Sequence, residues 1–286
     1  MRILYLLGLW GLAALGQSPE AGRVERNGNQ ATLIIENPRP LDSAAITLAE
    51  QFGIPVSTED PPYVFQDDIK DVTAEVSRVP NPQQRALVPK GGRLEVPFGL
   101  GADGSPEDVR ALLEALVKQA NDRFPFAYRL DMDGAWLTLV PTRTRDALGR
   151  SIEVTPLLDR HVTIPPGVRS IAESANLMAA ALSAQTGLSV GCCQASIGGV
   201  PWGLERIAFE AHDEPARSVL KRLIAASLEG HPNGYYWGER CSPLPWQSCF
   251  INLRHVPIAP VPPPSPAAAP PSPGATPWYR LGSQPR

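Results

Sequence analysis

Four cysteines are the most reactive side chains of the sequence, and two of them, Cys241 and Cys249, lie within YYWGERCSPLPWQSCFINLRHV, residues 235–256. Three chemistries are open to such a pair. Structural zinc sites use closely spaced ligands such as C-x2-C or H-x3-H, and the chain has neither, so His212, His231 and His255 complete no metal site by spacing. Nucleophilic catalysis needs a base and an orienting group beside the nucleophile. No motif places Cys192 or Cys249 in such company, and no G-x-S-x-G elbow is present. A disulfide asks only for facing backbone positions and an oxidising compartment. Cys241 and Cys249 stand at the two edges of a proline-bearing hairpin loop, and their bond is expected to close it, contributing about 2–3 kcal/mol. Cys192 and Cys193 are adjacent, so on a strand they point to opposite faces. A vicinal bond, two buried thiols, or pairing with the hairpin cysteines all remain open for them.

The remaining candidates are weaker. Asp131 to Gly134 reads DMDG, the start of a calcium loop, but the twelfth position holds Thr142 where a bidentate acid is required. Glu59, Asp60, Asp67, Asp68 and Asp71 crowd one proline-rich stretch and are expected on a solvated loop. The glycine-rich GLGADG lacks the lysine of a phosphate-binding loop. Tyr235, Tyr236 and Trp237 are consecutive, so on a strand the middle ring faces away from its neighbours. Together with Trp246 near the hairpin tip, they are the expected partner-binding surface. No catalytic, cofactor-binding or metal-binding residue is assigned from these patterns.

Composition narrows the setting. Arg2, the apolar run Ile3–Leu15 and the small-residue pattern ending at Gly16 have the form of a secretory signal peptide, expected over residues 1–16. That run is shorter than the roughly 20 apolar residues that span a bilayer, so no membrane span is expected in the mature chain. The 26 basic and 29 acidic residues leave a net charge of -3, which gives no electrostatic footprint for nucleic acid. Prolines crowd residues 257–286, a stretch without periodic apolar positions that reads as a disordered, polyproline-like tail.

The elements that position the cysteines and rings follow from periodicity. ATLIIEN is a strand, and Leu41, Ala45, Leu48 and Phe52 then recur at helical spacing up to Gly53, a left-handed C-cap. A short strand IPVST follows, then a long irregular loop at 60–92 and the strand GRLEVPF. A second helix is opened by Ser105 as N-cap with Pro106 at the first helical position, and is lined by Val109, Leu112, Leu113, Leu116, Val117 and Ala120. Two strands joined at Asp133-Gly134 complete the set.

The same order then recurs, with HVTI, a helix opened by Ser170 and Glu173 as a capping box, and Gly187 at its end. Aligned on the two glycines, LAEQFGIPVS (Leu48–Ser57) matches LSAQTGLSVG (Leu182–Gly191), and VRALLEALV (Val109–Val117) matches ARSVLKRLI (Ala216–Ile224). The expected fold is therefore α+β: two tandem βαββαββ modules at 31–145 and 160–256, each packing two helices on small mixed sheets.

The stretches RPLDSAAITLAEQFGIPVS, NLMAAALSAQTGLSV and ARSVLKRLIAAS resemble the secretin and TonB N-terminal short domain, the STN family. That resemblance implies a non-catalytic protein-interaction module of the cell envelope, periplasmic or secreted, whose partner is an unknown envelope protein. No barrel, plug or secretin core follows the two copies, so ring building and receptor signalling are not implied. A second reading makes the chain an extracytoplasmic enzyme or small-ligand binder that uses the acidic loop near Asp67 and the cleft between modules. It requires carboxylates converging on a deep pocket, with a shifted pKa among them.

Overall fold

In the first half of the computed structural model, β1 (Arg23–Asn27), β2 (Gln30–Asn37), α1 (Pro40–Phe52) and β3 (Ser57–Thr58) lead into β4 (Ile69–Asp71), α2 (Thr73–Val76), β5 (Leu87–Pro89) and β6 (Gly92–Gly99). Then come α3 (Val109–Arg123), β7 (Ala127–Asp133), β8 (Trp136–Arg145) and β9 (Ser151–Glu153). The second half runs β10 (His161–Ser170), α4 (Ile171–Thr186), β11 (Ser189–Cys192), β12 (Arg206–Pro215), α5 (Ala216–Ala226), β13 (Tyr235–Cys241) and β14 (Ser248–His255). The structure describes residues 21–76, 85–192, 206–226, 234–243 and 248–256. The expected leader, the proline-rich tail, Cys193 and Trp246 lie outside them.

Strand pairing follows one scheme in both halves. In the first, β2 pairs antiparallel with β6, β3 lies parallel to β8, and β7 and β8 form an antiparallel hairpin. In the second, β10 pairs antiparallel with β12, β11 lies parallel to β14, and β13 and β14 form the hairpin. By the glycine alignment Ser57 corresponds to Gly191, and each lies beside the last strand of its half, Ser57 beside Thr138 and Gly191 beside Phe250.

The helices are placed by their caps and apolar stripes. α1 ends at Gly53 with φ 68°, and α4 ends at Gly187 with φ 72°, both in the left-handed region that favours glycine. Ser170 and Glu173 form the expected reciprocal capping box on α4. α3 begins later than its sequence signature suggests. Asp108, not Ser105, is the N-cap, and its side chain accepts from the Ala111 N–H at 3.0 Å. Pro106 is held beside Leu100 as an isolated β-bridge, which keeps Ser105 in the preceding turn.

Two cores result. Leu33, Ile35, Leu48, Leu94, Leu113 and Leu116 fill the first, and Leu158, Ile164, Ile171, Met178, Leu220 and Ile251 the second. Among the described residues of the stretch 60–92, β4 and β5 pair antiparallel and Tyr63 and Ile69 pack on Phe126.

The two halves share a sheet. β3 sits between β8 and β13, which joins the strands in the order β11-β14-β13-β3-β8-β7, with β9 also paired to β8. The join itself is narrow. Gly238 pairs with Thr58, and the Trp237 N–H donates to the Ser57 hydroxyl at 3.2 Å. So short a seam must be held by the side chains around it.

Candidate functional site at the junction of the two halves

Those side chains are charged and sorted by origin: the first half supplies acids and the second supplies most of the bases. β3 is only two residues long, so the chain leaves it as Glu59-Asp60 directly against the second half. Glu59 is 1% exposed and receives two hydrogen bonds of 2.7 Å from the guanidinium of Arg217, at the start of α5. The third nitrogen of Arg217 bonds Asp159. Asp60 accepts from Arg39 Nε at 2.6 Å, the Tyr63 hydroxyl at 3.0 Å and the Cys241 N–H at 3.1 Å, while Arg39 also donates to the Cys241 carbonyl. Asp42, on α1, accepts from Arg240 at 2.6 and 2.8 Å, from Arg254 at 2.6 and 3.0 Å and from the Thr58 hydroxyl at 2.7 Å. Burial pushes the Asp42 carboxyl up, but Arg254, then Arg240 and Thr58, outweigh it and hold the group well below the ordinary carboxylate range.

Glu239 breaks this pattern. It lies on β13 with 1% exposure, on the same strand face as Trp237 and Cys241. Its Oε2 has no hydrogen-bond partner among the described residues. Its Oε1 lies 3.3 Å from Cys241 Sγ, and that sulfur is half of a disulfide and has no proton to donate. Burial, followed by the nearby Glu59 and Asp60 charges, raises its pKa well above the usual range, opposed only by Arg217. Burial also lifts Glu59, against the pull of Arg217. Among the described residues no cation hydrogen-bonds Glu239, whereas Glu59 is held by Arg217, so of the two acids Glu239 is the one whose protonated form burial favours more.

Cys241 and Cys249 are directly opposed across the β13–β14 ladder with their Cα atoms 4.0 Å apart, and they form the expected disulfide. Cys192, buried on β11, is also disulfide-bonded. Beside Glu239 and the hairpin disulfide a cavity of about 430 Å³ opens between the halves. Val64, Pro141, Val154, Leu157 and Leu188 make its apolar walls, and Asp60, Glu153, Arg160, Ser242 and Ser248 supply polar groups. Glu239, Cys241 and Cys249 place one oxygen and two sulfurs within 4.8 Å of one another, but in the disulfide neither sulfur is a thiolate that can bind a metal.

The aromatic surface expected on the second hairpin is overturned in part. Trp237 is fully buried against Trp136, with ring centroids 5.7 Å apart, and Tyr236 is buried on Ala49 and Val256. Alternation does put neighbouring rings on opposite faces, but β13 is an interior strand and both Tyr236 and Trp237 are buried on it, so each of these rings is covered. Tyr235 is half-buried, edge-on to His255. The acidic stretch does not form one solvated patch either. Glu59, Asp60 and Asp68 are buried, Asp68 on Arg145, whereas Asp67 and Asp71 are exposed and do not line the cavity. Pairing with arginines from distant elements makes burial of these acids tolerable. Reading the sequence missed Glu239, although its place between Trp237 and Cys241 at period two carried the signal of an inward-facing acid.

Comparison of the chain with protein-family models, curated proteins and solved structures finds no match to any of them.

The raised pKa of Glu239 gives a pH prediction. An acid whose folded pKa lies above its unfolded value of about 4.5 binds more protons folded than unfolded in the window above that value. Stability therefore falls as pH rises through the window, with a slope from this group of up to about 1.4 kcal/mol per pH unit. Glu239→Gln is expected to be more stable than the wild type at pH 7–8 and to show a flatter decline above pH ~4.5. Urea unfolding followed across pH 5–8 checks this, and a variant with the wild-type slope refutes it.

Proposed function

We propose that this chain is an exported, non-catalytic binding protein made of two STN-like units, whose cleft takes up a small amine with an apolar body. The single observation that carries the reading is Glu239, a buried carboxyl at the cavity with one oxygen unpartnered among the described residues. Such a group costs free energy in the empty protein and is retained where it meets a ligand. An ammonium group would donate to Glu239 Oε2 and replace its proton, while Val64, Leu157 and Leu188 cover the ligand's apolar part. The recurring strand pairing and the STN-like stretches support the two-unit organisation. The hairpin disulfide and the leader-like residues 1–16 support an oxidising compartment outside the cytoplasm. Docking of an envelope protein on Tyr236 and Trp237 is not favoured, because both rings are inside.

The test is calorimetric titration of the full-length protein with apolar primary amines and with carboxylates and alcohols of the same skeleton. Amines are expected to bind, with an enthalpy that varies with the buffer's ionisation heat because Glu239 releases its proton. Glu239→Gln is expected to lose at least tenfold in affinity. Equal binding of the three ligand classes, or an unaffected variant, would sink the proposal.

A further inference from the structure

The hairpin disulfide forms part of the cavity wall, and Glu239, whose Oε2 has no hydrogen-bond partner among the described residues, lies against one of its sulfurs. A bond that served only to close a loop needs neither feature, and the buried carboxyl beside it is a cost. We propose that Cys241–Cys249 is a reducible centre that exchanges with an external dithiol entering the cleft, and that Glu239 is the proton donor to the departing Cys241 sulfur. Three observations carry this: both cysteines line the 430 Å³ cavity, Glu239 Oε1 is 3.3 Å from Cys241 Sγ, and Glu239 Oε2 has no partner among the described residues.

The step balances. A thiolate of the dithiol attacks Cys249 Sγ, the Sγ–Sγ bond breaks, and its electron pair passes to Cys241 Sγ, which takes the proton of Glu239. The second thiol of the reagent loses its proton and attacks its own sulfur in the mixed disulfide. Cys249 leaves and is protonated from solvent, as is the Glu239 carboxylate. The dithiol ends as a disulfide and the protein gains two thiols, a transfer of two electrons.

Proton delivery matters here because of the company Cys241 keeps. Glu59 and Asp60, from the segment after β3, face Glu239, with Arg217 of α5 as the opposing cation. Arg217 is already engaged by Glu59 and Asp159. A bare thiolate formed among these acids is disfavoured, so a leaving sulfur gains from being protonated as it departs. In the reverse direction the Glu239 carboxylate accepts the Cys241 proton and readies that sulfur to re-form the bond.

Full-length protein is treated with dithiothreitol between pH 5 and 9, quenched by alkylation and mapped by peptide mass, which reads Cys241 and Cys249 separately from Cys192 and Cys193. Opening is expected in the folded protein, first order in dithiol. Rates are corrected for the reagent's thiolate fraction. The corrected wild-type rate should fall once Glu239 ionises, whereas Glu239→Gln should be at least tenfold slower at pH 7 and flat with pH. Glu239→Asp, which keeps the acid, should recover part of the rate. Two results would overturn the proposal: a Glu239→Gln rate and profile like the wild type, or a bond that opens only at the rate of global unfolding measured by hydrogen exchange. A folding defect in the variant leaves the wild-type pH profile and the unfolding comparison as independent readouts.

Discussion

Arg217→Met is expected to lower the free energy of unfolding by about 3–5 kcal/mol, the cost of leaving a buried charge without its partner. Glu59 is 1% exposed and takes two hydrogen bonds from Arg217, so in the variant it must either stay charged in a dry seam or take up a proton. The methionine fills the space of the arginine stem, which confines the loss to charge and hydrogen bonding. Urea unfolding followed by the fluorescence of the Trp136–Trp237 pair reads the change where it occurs, since those rings meet across the same junction. The double variant Glu59→Gln with Arg217→Met should recover most of the loss, because the burden is the unpaired acid and not the missing cation. A single variant within 1 kcal/mol of the wild type would mean that the pair is dispensable.

The second large effect is expected at Asp42, which binds the guanidinium groups of Arg240 and Arg254 at once. Asp42→Ala removes the carboxylate shared by two mostly buried arginines, Arg240 and Arg254, which stand on the two strands of the second hairpin. A loss of about 3 kcal/mol is expected. Asp42 also sets an acid dependence. Its folded pKa is depressed, so its contribution is fully present above its unfolded value of about 3.8 and is lost as pH falls below that value toward the folded one. Asp42→Asn should therefore be less stable than the wild type at pH 6 and approach it in acid. Parallel melting curves at pH 2.5 and 6 check this, and a constant gap between the two proteins would refute it.

Much of the local architecture was legible from residue order. Gly53, Gly187, the Ser170–Glu173 box and the Asp133-Gly134 turn act on neighbours within a few positions, and the structure has each of them where the pattern puts it. Asp108 displaced Ser105 as the α3 cap because Pro106 was claimed by a bridge to Leu100, a contact that the helix signature does not encode. The Cys241–Cys249 bond was legible for the same reason as the turns: a hairpin brings its two edges together whatever the rest of the fold does.

The site was not legible in this way. Glu59 and Arg217 are 158 positions apart, and Asp42 and Arg254 are 212 apart. Whether an acid is solvated or buried depends on what packs across from it, and desolvation and Coulomb terms follow distance in space and not along the chain. Residue order alone thus determined the caps, turns, apolar stripes and the closing of one loop by sulfur, because short-range geometry governs them. Only the tertiary structure decided that two halves share a sheet, that the Tyr236 and Trp237 rings go inward, and that Glu239 faces a cavity with its Oε2 unpartnered among the described residues, because each of these is set by the partner on the other side of the seam.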